Sequence, residues 1–149
     1  MRARRKWLTR AALFAWELPQ NVLGGALLMV QLARRNVRGV VFERERVMVE
    51  IGSVGAVSLG LFVFFTNSDN GYVPVGRENR DHEYGHSLQS RWLGPLYLVI
   101  VGVPSELRVL YAFVYRHVKG RRWGGYYDGF PESWADRLGG VDRAKRPHA

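Results

Sequence analysis

His82 and His86 stand four residues apart in His82-Glu83-Tyr84-Gly85-His86, and the spacing commits this segment to an α-helix if the two imidazoles are to act together. On a helix, residues four apart lie one above the other on one face, so both rings can reach a single cation while Glu83 projects beside them. The surrounding residues agree. Asn79 or Asp81 can cap the start and Gly94-Pro95 can stop the chain, which predicts a helix over residues 81–92.

The chain has no cysteine, so a metal would have to be held by histidine and carboxylate. A second short segment, Glu132-Ser133-Trp134-Ala135-Asp136, supplies one. Pro131 before it and Gly139-Gly140 after it frame a helix over residues 131–138. Glu132 can complete a His₂Glu site that leaves a fourth position for water, as catalytic zinc requires. Asp136, one turn on, can accept the outer N–H of a ligating histidine and fix its tautomer. Glu83 is then the general base for a water whose pKa zinc has lowered toward about 7. The plainer alternatives are a chance pairing on a solvated helix, a first-turn Glu132 favoured by the helix dipole, and an Asp136 that partners Arg137 or Arg143.

His82-Glu83-x-x-His86 followed by Glu132-x-x-x-Asp136 resembles the gluzincin branch of the zinc metallopeptidases (zincins). The resemblance implies Zn²⁺ held by His82, His86 and Glu132, Glu83 as the catalytic base, Asp136 behind a ligand, and a peptide or protein substrate. It covers those two segments. The longer strings from His82 to Ser90, Leu93 to Tyr97 and Glu132 to Val141 also resemble a group of small uncharacterised bacterial proteins, which brings no activity with it. The fold expected is α+β: a minimal zincin-like domain with a β-hairpin, the motif helix, the downstream ligand helix and one or two long apolar helices. Zincins lay substrate along a sheet edge, and the strand ending near Phe65 is the candidate edge; an ordinary buried strand is the competing reading. Tyr126, Tyr127 and His117 are the polar aromatics that could meet an oxyanion.

Lysine and arginine outnumber acidic residues 22 to 13, and much of the excess lies at Arg2, Arg4, Arg5, Lys6 and Arg10 and again at Arg34, Arg35 and Arg38. These blocks bracket an apolar stretch, residues 11–33, which suits an anionic membrane surface better than a nucleic acid. No nucleic-acid partner is expected, and without cysteine the zinc deaminases are excluded. Glu17 interrupts the stretch, so it spans a bilayer only if that carboxylate faces protein. Membrane association is the expected location, a cytoplasmic protein the alternative. The matching functional alternative is a non-catalytic protein that docks on membrane or a partner and retains a structural or vestigial metal site.

At 149 residues the chain has room for one domain, residues 1–149. Residues 1–10 read as a basic arm, 11–33 as one helix or two joined at Pro19, 47–140 as the zincin-like core and 141–149 as a charged, frayed tail. Within the core, residues 47–66 read as a two-stranded hairpin turning at 52–55. Residues 67–80 read as a polar loop rich in turn formers, and 96–103 as a short apolar run ended by Pro104. A helix over 106–118 and a glycine-aromatic loop over 120–129 follow.

Overall fold

The computed structural model describes residues 2–67 and 78–143, the first seven of these by backbone alone. It is an α+β structure. Helices α1 (Arg2–Trp16) and α2 (Leu18–Ala33) lead into strands β1 (Val37–Glu43), β2 (Arg46–Ile51), β3 (Val57–Leu59) and β4 (Phe62–Phe65). Helices α3 (Asn79–Leu93), α4 (Val103–Lys119) and α5 (Glu132–Gly139) follow. The side chains of Arg2, Arg4, Arg5 and Lys6, most of the turn-former loop and the tail from residue 144 lie outside the described residues.

The apolar N-terminal stretch is two helices, bent by 82° where they meet at Glu17. Pro19 sits in the first turn of α2, where a missing N–H leaves no bond unmade. Glu17 does face protein: it is buried, accepts a hydrogen bond from Ser90 Oγ at 2.7 Å, and lies 3.7 Å from the equally buried Arg46.

The sheet corrects the expected hairpin over residues 47–66. It has four strands in the order β1-β2-β4-β3, built from two antiparallel hairpins joined by a parallel pairing of β2 with β4. The segment at 52–55 is therefore a crossover loop. The first true turn is Arg44-Glu45, both residues at positive φ (51° and 60°), a backbone usually occupied by Asn-Gly. The second is Gly60-Leu61, where Gly60 supplies φ of 62° and Asn21 of α2 accepts the Leu61 N–H at 2.6 Å.

Alternation along the strands gives the sheet two buried faces. Val49, Ile51 and Phe64 pack against Leu27 and Leu28 of α2, while Met48, Val63 and Phe65 pack against Tyr84 of α3. Helix α3 thus lies between the sheet and α5. The strand ending at Phe65 is interior to the sheet, so it offers no edge; among the described residues the edges are β1 and β3. Helix α3 begins at Asn79, two residues before the expected start, and neither Asn79 nor Asp81 caps it. The Asn79 amide instead donates to the Thr66 carbonyl at 3.0 Å, tethering the incoming chain.

Pro104 does not break the chain where expected. A π-helical turn at Leu98–Gly102 runs straight into α4, and the wide turn accommodates a residue that cannot donate. The result is a continuous 22-residue helix, Leu98–Lys119, long and apolar enough to cross a membrane. Within the expected loop over 120–129, Gly124–Tyr127 form a short 3-10 turn against α4. Helix α5 ends at Gly140 in the left-handed conformation, as its glycines foretold.

Candidate metal centre

Two glycines let α3 and α5 approach until their backbones touch. A Cβ at Gly85 would lie 2.7 Å from the Ala135 carbonyl carbon, and one at Gly139 2.8 Å from that of Asp81, each closer still to the oxygen. This contact carries the two short motifs to one point. His82 Nε2 lies 3.0 Å, and His86 Nε2 3.1 Å, from the same oxygen of Glu132, Oε2. All three residues are buried, and together they can hold a metal ion. Ligands about 2.0–2.1 Å from a tetrahedral zinc stand about 3.3 Å apart, so the observed separations need only a slight opening.

Each ligand is fixed from behind. Asp136 Oδ1 lies 2.7 Å from His82 Nδ1, and Arg143 holds that carboxylate through both Nε and Nη2, so Asp136 has the partner foreseen for metal chemistry and the one foreseen for plain structure. Arg143 also stacks over Tyr127, whose ring meets His82 edge-on. The tail is therefore docked at least as far as Arg143. On His86 the partner is Gln89: its Nε2 donates to the Pro131 carbonyl at 3.0 Å, which turns Oε1 toward His86 Nδ1 at 2.7 Å. Both imidazoles consequently carry hydrogen on Nδ1 and aim Nε2 at Glu132. The other Glu132 oxygen, Oε1, accepts from Ser105 Oγ of α4 at 2.6 Å.

The electrostatics describe a cluster that wants a positive charge. Burial works against charge on His82, yet hydrogen bonds to Asp136 and Glu132 outweigh it and hold the imidazole up to about 9. Burial would raise the Glu132 carboxyl, but the two imidazoles pull it well below the usual carboxylate range. A proton or a divalent cation meets the same need. Glu83 behaves oppositely: burial raises its carboxyl, only partly offset by His86 and His82, and Ser58 Oγ donates to its Oε2 at 3.0 Å.

A cavity of about 630 Å³ lies before Glu83 and His86, between β3 (Val57, Ser58, Leu59) and α4. Tyr126 lines it, and Tyr126 and Tyr127 also line a smaller space beside His82 and Glu83. Burial raises both phenols, so both remain protonated donors. His117 is elsewhere: it is exposed near the end of α4 and bonds to the Phe113 carbonyl of its own helix.

The structure brings His82, Glu83, His86, Glu132 and Asp136, all singled out in the sequence, to one place, and adds Gln89, Ser58 and Ser105, which were not. Gln89 had a signal, three residues after His86 on the same helix face. Ser58 and Ser105 had none, since each arrives from a separate element. Compared with models of known protein families, with curated proteins and with solved structures, the chain matches none.

Proposed function

We propose that this chain is a zinc-dependent hydrolase, in its simplest form a membrane-associated metallopeptidase. The observation that carries the reading is the convergence of two imidazole nitrogens and a carboxylate oxygen within 4.8 Å of one another, with the buried Glu83 carboxylate alongside. Two neutral nitrogens and one carboxylate without thiolate are the donors of catalytic zinc. When bound, zinc supplies a Lewis acid that polarises a carbonyl and makes water acidic near pH 7.

Glu83, oriented by Ser58, takes a proton from the attacking water and returns it to the departing amine. The water oxygen enters the new carboxyl group as the C–N bond breaks. Tyr126 is the donor we assign to the developing oxyanion. The outer edge of β3, which pairs only with β4 among the described residues, can take an extended peptide as an added strand. The apolar helix Leu98–Lys119 and the arginine clusters support the membrane assignment.

Metal analysis of the purified protein tests the first half. One zinc per chain is expected, lost in His82→Ala; a wild-type protein without stoichiometric zinc, or a variant that keeps it, overturns the reading. Gln89→Ala and Asp136→Asn should retain the fold and weaken zinc binding by about ten- to a hundredfold each, measured by competition with a chelator. Unchanged affinity in both would show that the outer N–H partners do not orient the ligands.

A further inference from the structure

We propose that the cavity opens sideways onto a lipid bilayer, so that its substrates are peptide segments embedded in or lying on that bilayer. The inference rests on the hydrolase reading above and specifies the substrate for the same site.

Helix α4 and the turn before it carry one continuous apolar stripe, Val99, Val103, Leu107, Leu110, Val114 and Val118, at steps of three and four residues. Every member is exposed, from 49% at Val114 to 71% at Val118. A single exposed valine means nothing, but an unbroken stripe of six is a surface that water does not favour. Of the charged residues in the first half of the helix, Arg108 is turned away from it. Arg108 donates to the carbonyls of Gly125 and Tyr126 and lies over the Trp123 ring, whereas the exposed Glu106 flanks the stripe beside Val103 and Leu110, where it meets the cavity.

Charge indicates what covers the stripe. The last turn of α4, around Val118, carries Arg116 and Lys119 and is followed by Arg121 and Arg122, and α2, with Val22, Met29 and Val30 exposed, runs into Arg34 and Arg35. Apolar helices that end in basic clusters fit a bilayer with anionic headgroups, where long cationic side chains reach the interface.

The stripe and the cavity share residues. Val103, Leu107 and Leu110 belong to the exposed row and also wall the cavity that holds Glu83 and His86. A bilayer against α4 therefore reaches the mouth of the cavity, and an apolar segment can enter without crossing water. The edge of β3 on the opposite wall, which pairs with no further strand among the described residues, offers the backbone hydrogen bonds that lipid withholds.

The test uses the full zinc-loaded chain with vesicles of phosphatidylcholine and phosphatidylglycerol. Two quenched peptides serve as probes: a leucine-alanine peptide long enough to cross the bilayer, and a short soluble one with the same central residues. Wild type should float with the vesicles and cleave the embedded peptide about tenfold faster, because confinement raises its effective concentration. The double variant Val99→Lys/Val114→Lys alters positions outside the cavity. It should lose vesicle binding by about a hundredfold or more and lose the preference, while cleaving the soluble peptide at the wild-type rate. If wild type cleaves the soluble peptide but not the embedded one, or the double variant keeps the preference, the inference is overturned and the hydrolase reading stands. A wild type that stays off vesicles as a dimer broken by the same lysines shows a second copy on the stripe and overturns it too. Cleavage of neither peptide removes both.

Discussion

Gly85→Ala is expected to abolish stoichiometric metal binding and to lower the melting temperature, although alanine is the better helix former by about 1 kcal/mol. The added methyl has nowhere to go. It would sit 2.7 Å from the carbonyl carbon of Ala135, and its obstacle is backbone, which cannot change rotamer. Overpacking of this kind costs about 1–3 kcal/mol, and relief by parting α3 from α5 would draw His82 and His86 away from Glu132. Gly25→Ala is the internal comparison. No atom lies within 4 Å of a Cβ there, so helix propensity acts alone and stability should rise by up to about 1 kcal/mol. Should Gly85→Ala behave like Gly25→Ala, with full zinc content and a raised melting temperature, the interhelix contact is not what sets the ligand geometry.

Glu83→Gln is expected to lower kcat by about 10²- to 10⁴-fold while zinc content and melting temperature stay near wild type. Glutamine has the same shape and can still accept from Ser58, but it cannot take a proton. Glu83 is buried and contributes no oxygen to the trio around the metal position, so its neutral replacement spares the ligands. Measuring peptide hydrolysis and bound zinc on one preparation separates chemistry from folding. Turnover that survives the change would rule out Glu83 as the base, and with it the proposed mechanism.

Much of the site was legible because its signals are local. The four-residue step between His82 and His86, and between Glu132 and Asp136, is read directly from helical periodicity. What joins those helices was not legible, because Gly85 and Gly139 matter through backbones distant in sequence. The sheet was misread for a related reason. The turn at Arg44-Glu45 adopts left-handed backbone without the glycine or asparagine that usually announces it, and parallel pairing of β2 with β4 depends on a crossover that no local pattern encodes. Strand β1 went unnoticed because Arg38 and Glu43 interrupt its apolar residues and Val40, Val41 and Phe42 remain exposed. Pro104 misled by being a sound helix breaker in an ordinary turn, where the chain uses a wider one.

Ser105 reaches from α4 to the carboxylate of Glu132, so the helix with the exposed apolar row touches one of the three residues that can hold a metal ion. A tilt or slide of that helix would pull on the Glu132 carboxylate through this hydrogen bond. On the proposed reading, cation affinity and helix position would be linked: whatever seats the helix would tighten the ion, and the ion would seat the helix by the same factor.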